Sequence, residues 1–370
     1  MFDFLLTTAN KIWPFLVVLG VLVFIHELGH YLAARWRGIH VEAFSIGFGK
    51  TIASWTDRQG TVWKLCWLPL GGYVKLHGQE QPEDVPAEVR ARWRPGETFH
   101  GKSVLSRAIV VAAGPVANFL LAGLLFAILF VAVGRPTTLP VVGEVVTASP
   151  AAEAGLRAGD RIDSIDSHPI ARFEEIQRIV SARPGARLSL QVTRDGLTKV
   201  IEATPEARGP AGHAVGVLGI KGGSVAYEHL SPPLAIVEGF AQTWDVSVQT
   251  LAGVWQILTA QRGAEDLGGP LRIAQLSSDV AKLGAASLIS FIAVLSVNLG
   301  LMNLFPIPVL DGGHLVFFAL EALRGKPLPP RAVEYGFRAG FALLIGLFVF
   351  STWNDLSQFG LFRWVSTLIG

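Results

Sequence analysis

The stretch from Val21 to His30 reads VLVFIHELGH and combines two features that rarely occur together. The apolar run that contains it, residues 12–34, is long enough to cross a bilayer, which takes about 20 residues. The end of the stretch nevertheless carries His26, Glu27 and His30. Ionisable groups in a membrane helix are costly, so each needs a partner or a function. We therefore interpret this stretch as a retained membrane helix that carries a functional site.

The spacing of the two histidines predicts a metal site. Positions i and i+4 lie on one face of a helix, so His26 and His30 can bind the same ion. Glu27 is adjacent in sequence and can act as a base on water at that ion. A catalytic zinc site takes three protein ligands and leaves a fourth position open. The stretch supplies two of these ligands, and the third is expected on another span.

The rest of the chain has the composition of a membrane protein. Of its 370 residues, 51% are hydrophobic and 16% are charged, compared with about 25% charged in soluble proteins. Three further apolar runs are long enough to span a bilayer: 108–133, 285–305 and 337–353. Residues 355–370 are short and amphipathic and are expected to lie at the interface. The fold class predicted is an α-helical polytopic membrane protein with about four spans, and a net charge of +2 favours no nucleic acid as partner.

The loops predict the orientation of the spans. Loops 35–107 and 321–336 are rich in Lys and Arg and are expected in the cytoplasm, whereas segment 135–283 has balanced charge and belongs on the other side. In chain order, the predicted domains are an N-terminal membrane part at 1–139, a compact domain at 140–222, an amphipathic connector at 223–284 and a C-terminal membrane part at 285–370.

Residues 41–77, within the first cytoplasmic loop, are predicted to form a β-hairpin. Apolar and polar residues alternate on both sides of a turn at Asp57-Arg-Gln-Gly60. The apolar side is too rich for a free loop, so we expect the hairpin to be associated with the membrane. It can offer a strand edge to an extended peptide, or it can only anchor the fold.

The third span ends in a break that predicts a cavity. The chain from 303 to 314 reads NLFPIPVLDGGH, and Pro306 and Pro308 must interrupt the helix. Backbone left unpaired at membrane depth is tolerated only where it lines a cavity enclosed by protein. Asp311 follows this break at the cytoplasmic side, where it is well placed to meet the two histidines.

Asp311 is the preferred third ligand, with two alternatives in view. It can instead cap the helix that follows it, and His314 is a weaker ligand candidate on that helix. Cys66 is the only cysteine, which excludes both a disulfide framework and a cysteine-based zinc cluster.

Three asparagines in the apolar runs, Asn118, Asn298 and Asn303, are further candidates. Each can form hydrogen bonds between helices. Each can also hold a substrate backbone or a developing oxyanion. Such a role is favoured for Asn303, and less so for Asn298.

Several motifs together resemble the site-2 protease family of intramembrane zinc metalloproteases. They are HELGH in the first span, Gly114-Pro-Val-Ala-Asn118 in the second, and Asn303-Leu-Phe-Pro-Ile-Pro-Val-Leu-Asp-Gly-Gly after the third. Phe48-Gly49-Lys50 and Leu70-Gly-Gly-Tyr-Val-Lys75 are similar to the bacterial, RseP-like branch, which regulates the sigma-E envelope stress response. The stretch Gly155-Leu-Arg-Ala-Gly-Asp-Arg-Ile162 makes segment 140–222 similar to a single PDZ domain of inserted α+β type.

The resemblance implies zinc on His26, His30 and Asp311, with Glu27 activating water. It also implies regulated intramembrane proteolysis of a single-span substrate, such as an anti-sigma factor or a remnant signal peptide, after an upstream site-1-type protease has trimmed it. The expected location is the bacterial inner membrane, with the active site toward the cytoplasm and the PDZ-like domain outside it. That domain can bind a peptide C-terminus or act as a size filter.

A different class of protein is also considered. The chain can be a non-catalytic membrane PDZ receptor whose metal is structural. Glu27 distinguishes the two hypotheses, because a structural metal needs no adjacent base.

Overall fold

The structure of the chain is a computed structural model. It describes residues 2–80, 85–91, 93–209, 214–261, 263 and 268–358, with the backbone alone at 2–12, 69 and 70. Most of the predicted interfacial segment, residues 359–370, lies outside the described residues. The chain divides into two compact units, one of Phe130–Ser231 and one that joins Met1–Leu129 to Pro232–Gly370.

Helices dominate the larger unit. The helices of the described chain are α1 Phe2–Trp36, α2 Ala87–Arg90, α3 Val104–Ala132, α4 Pro150–Glu153, α5 Phe173–Ser181, α6 Pro232–Leu258, α7 Pro270–Lys282, α8 Ala285–Leu304, α9 Asp311–Arg324 and α10 Pro330–Gln358. Among the described residues, four segments are long and apolar enough to cross a membrane: Trp13–Trp36, Val104–Ala132, Ala285–Leu304 and Pro330–Gln358.

These four segments match the four spans predicted from the sequence. Only the last differs appreciably, because α10 begins at Pro330 rather than near residue 337. Proline is well tolerated at a helix start, where its missing N–H costs nothing. The first turns of α10 carry charge, including the ion pair between Glu334 and Arg338 one turn apart, so hydropathy alone places the start too late.

The break between α8 and α9 forms as the two prolines predict. Helix α8 ends at Leu304, and the following residue is extended. Val309 has a φ of 103°, a conformation that costs a β-branched residue energy and that recurs at functional sites. A side chain on Gly312 or Gly313 would overlap the carbonyl oxygens of Leu304 and Ile307. The two glycines therefore let α9 start directly against the turn.

Strands β1 Val41–Thr56 and β2 Val62–Leu76 form an antiparallel sheet beside α1. Residues 43–46 of β1 pair with 62–65 on one side and with 72–75 on the other. Residues 62–66 also pair with 51–56 on their other side, so the sheet has four strands locally, with 72–75 at one edge and 51–56 at the other. The carboxylate of Asp57 shapes the turn by accepting the backbone N–H groups of Gln59 and Thr61.

The core beneath the sheet joins α1, α3 and α9. Phe44 of β1 is fully buried, and its ring packs against Tyr31 of α1 and stacks on Trp63 of β2. Val110 of α3 and Phe318 of α9 belong to the same apolar cluster. This cluster fixes the sheet against the two helices that carry the predicted site.

Helix α6 lies within the predicted connector, 223–284, and packs on two of the apolar helices. A side chain on Gly239 would overlap Gly123 of α3, and Thr250 donates a hydrogen bond to Asn298 of α8 over 2.9 Å. Helix α7 packs against α1 and α8. Two backbone N–H groups at the start of α7 donate to the buried carboxylate of Asp355 on α10. These helices therefore pack along the long apolar helices.

The smaller unit is built from short antiparallel strands. They are β3 Arg135–Thr138, β4 Val142–Val145, β5 Arg161–Ile165, β6 His168–Pro169, β7 Leu188–Arg194, β8 Leu197–Ala203, β9 Glu206–Arg208, β10 Val215–Val217, β11 Ile220–Gly222 and β12 Val225–Glu228. Four of them form one sheet in the order β6-β5-β7-β8, and the others pair as β3 with β12, β4 with β11 and β9 with β10. Asp195 and Gly196 both have positive φ in the turn between β7 and β8, as that dipeptide predicts.

A separate apolar core stabilises this unit. Ile162, Ile165 and Leu190 from the sheet and Ile176 from α5 are almost completely buried in it. Beside this core, a cavity of about 560 Å³ is lined by α5 and by residues 216–220. The smaller unit thus has its own core and its own concave surface.

Candidate metal centre

His26 and His30 meet on one face of α1, as their spacing predicts. Their Nε2 atoms lie 3.2 Å apart, and the rings are nearly perpendicular at 86°. His26 is 8% exposed, and the side chain of His30 is 13% exposed. Both imidazoles are therefore largely withdrawn from solvent, and both turn a nitrogen toward the same point.

Asp311 completes a triangle with these two nitrogens. Its Oδ2 atom lies 3.2 Å from Nε2 of His26 and 3.5 Å from Nε2 of His30. A tetrahedral ion at about 2.0–2.1 Å from each ligand holds the ligand atoms about 3.3 Å apart. The three measured separations match that requirement. Leu310, not Asp311, occupies the cap position of α9, so the side chain of Asp311 is turned toward the histidines and does not cap its own helix.

The chemistry of these donor atoms fits a divalent cation. Nδ1 of His30 lies 2.9 Å from the carbonyl oxygen of Val110. A carbonyl only accepts, so this nitrogen carries the proton and the Nε2 atom of His30 presents a lone pair. Oδ2 of Asp311 is buried and, among the described residues, makes no hydrogen bond of good geometry. Two imidazoles and a carboxylate of this kind form a donor set that zinc accepts.

Helix α3 closes the rear of the triangle at Gly114. A side chain at this position would overlap Nε2 of His30 and would lie 2.8 Å from Cε1 of His26. The pattern Gly114-Pro-Val-Ala-Asn118 indicated close helix packing, but it did not reveal that the packed groups are the metal-ligand candidates themselves. A glycine flanked by apolar residues gives no signal of its distant partner.

Glu27 lies at the same cavity, beside the edge strand at residues 72–75. Its carboxylate accepts the backbone N–H of Val74. A side chain on Gly72 would come within 3.1 Å of Cγ of Glu27, so the strand approaches this glutamate as closely as a backbone can. The sheet therefore fixes the direction of the group that is predicted to act as the base.

A cavity of about 630 Å³ opens at these groups. It contains the three ligand candidates and Glu27, and its remaining wall mixes backbone of β2 with polar and aromatic side chains. These further lining residues include Gly72, Tyr73, Val74, His100, Arg107, Asn303, His314, Phe317, Phe318, Glu321 and Phe337. The volume suits a short stretch of extended peptide.

An ion pair in the cavity wall was not anticipated from the sequence. Nη2 of Arg107 on α3 lies 2.6 Å from Oε1 of Glu321 on α9, with side-chain exposures of 10% and 16%. The guanidinium also stands over the ring of Phe318 at 4.9 Å. Arg107 lies in the first turn of α3 and Glu321 in the last turns of α9, positions where Arg and Glu are normally assigned to solvent, and only the fold brings them together.

The three predicted asparagines occupy different environments. Asn303 lines the cavity and donates from Nδ2 to the carbonyl of Leu299. Asn298 accepts from Thr250 of α6. Asn118 is fully buried behind His26, with its amide 3.1 Å from Nδ1 of that histidine. His314 lines the cavity but is not part of the three-residue group.

Comparison with known proteins identifies the family of the chain. The model of Peptidase family M50 matches residues 14–347. A protein of Rhizobium meliloti named as a candidate zinc metalloprotease is 45% identical, and the match covers 93% of this chain and 95% of that protein. Metalloprotease MmpA of Caulobacter vibrioides is 40% identical over 95% and 97% of the two chains. Regulator of sigma-E protease RseP of Escherichia coli is 31% identical over 93% and 98%.

Two solved structures match part of the chain. The crystal structure of the PDZ domain of the SdrC-like protein from Listeria monocytogenes is 22% identical, covers 22% of this chain and 83% of that one, and has a TM-score of 0.20. The solution structure of a Geobacillus thermodenitrificans protein is 30% identical, covers 23% and 95%, and has a TM-score of 0.20.

The family match extends over most of the chain, including both metal-ligand motifs, and several relatives align along nearly their full length. This chain belongs to Peptidase family M50, and it is a metalloprotease.

Proposed function

We propose that the chain is an intramembrane zinc metalloprotease that hydrolyses peptide bonds within the membrane-spanning segments of single-span proteins. The observation that carries the proposal is the triangle of His26, His30 and Asp311 beside Glu27, on a helix apolar enough to cross a membrane. Relatives that are named as zinc metalloproteases support zinc as the ion.

Different groups in the cavity have different roles in hydrolysis. Zinc held by His26, His30 and Asp311 would supply Lewis acidity, which makes water reactive at neutral pH. Glu27 takes a proton from the attacking water and delivers it to the amine as the C–N bond breaks. The N–H of Val74 keeps the Glu27 carboxylate pointed into the cavity. A purely structural metal would need no such base, so the enzyme is favoured over a metal-stabilised receptor.

The strand at 72–75 is proposed to hold the substrate in extended form. A helical substrate hides its scissile amide and must unwind before cleavage. Residues 72–75 pair with β1 along one edge, and no described strand pairs with the other edge. Gly72, Tyr73 and Val74 line the cavity, so a peptide added to that edge would pass the catalytic groups. The alternative is that this strand only anchors the fold.

The outer half of the hairpin is proposed to touch the bilayer. Ile52, Trp55, Trp67 and Leu68 are each about half exposed or more. Large apolar side chains left exposed in this number are otherwise expected at a binding surface. Aromatic residues favour the headgroup region of a membrane.

The predicted PDZ-like domain at 140–222 is proposed to select substrates. Its cavity, between α5 and residues 216–220, can take the C-terminal residues of a peptide that an upstream protease has released. Alternatively, the domain excludes substrates whose extracytoplasmic part is still bulky. Both uses agree with regulated intramembrane proteolysis after a site-1-type cleavage.

The proposed location is the bacterial inner membrane, with four spans. The basic loops 35–107 and 321–336 support placing the metal ligands toward the cytoplasm, with the predicted PDZ-like domain on the opposite side of the membrane. The resemblance to the site-2 protease family makes anti-sigma factors and remnant signal peptides the substrate classes to test first.

The proposal is tested with purified protein in liposomes that also contain a single-span helical substrate. We expect the wild-type protein to cleave within the span when zinc is supplied. Glu27→Gln should bind zinc and lose cleavage by about 100-fold or more, the range that a general base contributes. Glu153→Gln, an exposed glutamate in the smaller unit, is the matched control and should cleave normally. Undiminished cleavage by Glu27→Gln would exclude Glu27 as the base.

A further inference from the structure

The amide of Asn118 has an unusual environment. Asn118 lies on α3, is completely buried, and contacts the side of His26 that faces away from the cavity. Its Nδ2 atom lies 3.1 Å from Nδ1 of His26. Its Oδ1 atom is buried and has no hydrogen-bond partner among the residues that the structure describes. A buried amide oxygen left unpaired is costly, so the direction of this amide requires an explanation.

The protonation of His26 decides which atom of the amide faces it. If Nδ2 donates to Nδ1, the ring proton of neutral His26 must be on Nε2, which faces His30 and Asp311. A protonated Nε2 cannot bind a metal ion. If Nδ1 carries the proton instead, it needs an acceptor, and Oδ1 of Asn118 becomes that acceptor when the amide turns by 180°. This rotation exchanges the positions of Oδ1 and Nδ2 of Asn118. It also gives Oδ1, which otherwise has no partner, a hydrogen bond to accept.

We propose that Asn118 is a positioning residue for the metal centre: its amide oxygen accepts Nδ1–H of His26 and so directs the Nε2 lone pair of that histidine toward Asp311. The inference rests on the proposed function, because it assumes that His26 is a zinc ligand. Metal-binding histidines commonly donate their second ring N–H to such an acceptor, which fixes both the tautomer and the orientation of the ring.

The hydrogen bond that the second histidine, His30, makes on its own Nδ1 supports this proposal. His30 donates from Nδ1 to the carbonyl oxygen of Val110. Val110, Gly114 and Asn118 are spaced four residues apart, so they follow one face of α3. The face therefore offers an acceptor to His30, a gap that admits both rings, and an acceptor to His26. The acceptor for His30 belongs to the backbone and cannot be removed by substitution, whereas the acceptor for His26 is a side chain and can be tested.

Helix α8 holds this part of α3 in place. Oγ of Ser296 donates to the backbone carbonyl of Asn118 over 2.8 Å, and both residues are fully buried. The contact ties Asn118 to the helix that leads to Asp311. The position of the amide is thus fixed by two helices at once, as positioning a ring to within a fraction of an ångström requires.

The test measures zinc affinity by chelator competition, with full-length protein in detergent. We expect Asn118→Ala to weaken zinc binding by about 10–100-fold, the usual effect of removing a partner of a metal-binding histidine. Asn118→Asp should stay within a few-fold of the wild-type affinity, because a carboxylate only accepts and replaces the amide oxygen. The visible absorption of bound Co²⁺ should change in Asn118→Ala and be restored in Asn118→Asp.

Controls separate positioning from a general loss of structure. Asn298→Ala removes another amide of the apolar helices, whose Oδ1 is bonded to Thr250, and should leave zinc affinity unchanged. In thermal unfolding of the metal-free proteins, Asn118→Ala and Asn298→Ala should have similar melting temperatures.

Two results would overturn the inference. One is an unchanged or tighter zinc affinity in folded Asn118→Ala, which would mean that the amide donates to Nδ1. The other is an equal loss of affinity in Asn118→Ala and Asn298→Ala. A wild-type protein that binds no zinc would instead refute the proposed function itself, so the two failures are distinguishable.

Discussion

Nε2 of His26 and Oδ2 of Asp311 lie 3.2 Å apart, although one residue is in the first helix and the other begins the ninth. The contact depends on a helix that is interrupted by two prolines and on a pair of glycines that let the next helix start against the break. A metal centre of this kind therefore joins the two chain segments that form the larger unit. Its occupation should stabilise the folded chain by mass action, because the unfolded chain lacks the site.

Removal of Asp311 tests the third ligand directly. Asp311→Ala leaves two imidazoles and should lower zinc affinity by at least about 100-fold, more than the loss of an outer partner costs. The measurement is zinc content by elemental analysis after dialysis against a chelator. Asp279→Ala, which removes an exposed carboxylate on α7, is the control and should keep its zinc. Full zinc content in Asp311→Ala would remove this residue from the site.

The sequence was sufficient to predict much of this centre, and the reasons are physical. His26 and His30 are one helical turn apart, so their convergence follows from helix geometry alone. Asp311 could be predicted because an apolar run ended in prolines and glycines, where few other carboxylates were available. The four apolar helices followed from hydropathy, apart from the charged first turns of α10.

Other parts of the site depend on packing that no local pattern encodes. The ion pair between Arg107 and Glu321 could be predicted only by knowing which helix faces α3. Asn118 was a candidate for binding substrate or an oxyanion, whereas it packs behind a histidine, because the direction of a side chain on a buried helix is set by its neighbours. The hairpin divides into four local strands because the pairing register shifts along β1 and β2, and such shifts cannot be read from the alternation of apolar and polar residues.

The substrate-strand hypothesis predicts a specific cross-linking pattern. A photoreactive phenylalanine analogue at Tyr73, in a chain that also carries Glu27→Gln, should cross-link to a single-span substrate, because Tyr73 lines the cavity. The same analogue at Trp55 serves as control, since this exposed aromatic residue stacks on Trp63 and is not a cavity residue. The yield is read on gels and should differ by about tenfold. Equal yields from the two positions would favour the view that the sheet only anchors the fold.

The buried pair of Arg107 and Glu321 should respond asymmetrically to substitution. Arg107→Leu leaves Glu321 as an uncompensated charge in the cavity wall and should destabilise the chain by about 3 kcal/mol. The double variant Arg107→Leu with Glu321→Leu should recover most of that loss, because two apolar side chains of similar volume replace the pair. Denaturation of the detergent-solubilised proteins measures both. Losses that simply add would show that the two side chains are not coupled.

The smaller unit should lose stability in acid through Asp160. This carboxylate is fully buried and accepts from the guanidinium of Arg194 over 2.6 Å and from the N–H of Arg157 over 2.8 Å. Burial alone would raise the pKa of the Asp160 carboxyl, but the bonds from Arg194 and Arg157 outweigh burial and hold that pKa below its ordinary value of 3.8. The ionised carboxylate therefore stabilises the fold.

The sign of the pH dependence follows from this lowered pKa. A group whose pKa is lower in the folded state contributes stability above its unfolded pKa, near pH 4, and loses it as the pH falls through the folded value. At pH 7, amides of β5 and β7 in Asp160→Asn should exchange with deuterium at least about tenfold faster than in wild-type protein, because bonds to a charged group are lost. Below pH 4 that ratio should shrink toward one. Comparing the two proteins at each pH cancels the intrinsic effect of pH on exchange, and Glu153→Gln should match wild type throughout. A ratio that stays constant from pH 7 to pH 3 would mean that the ionisation of Asp160 contributes nothing to this unit.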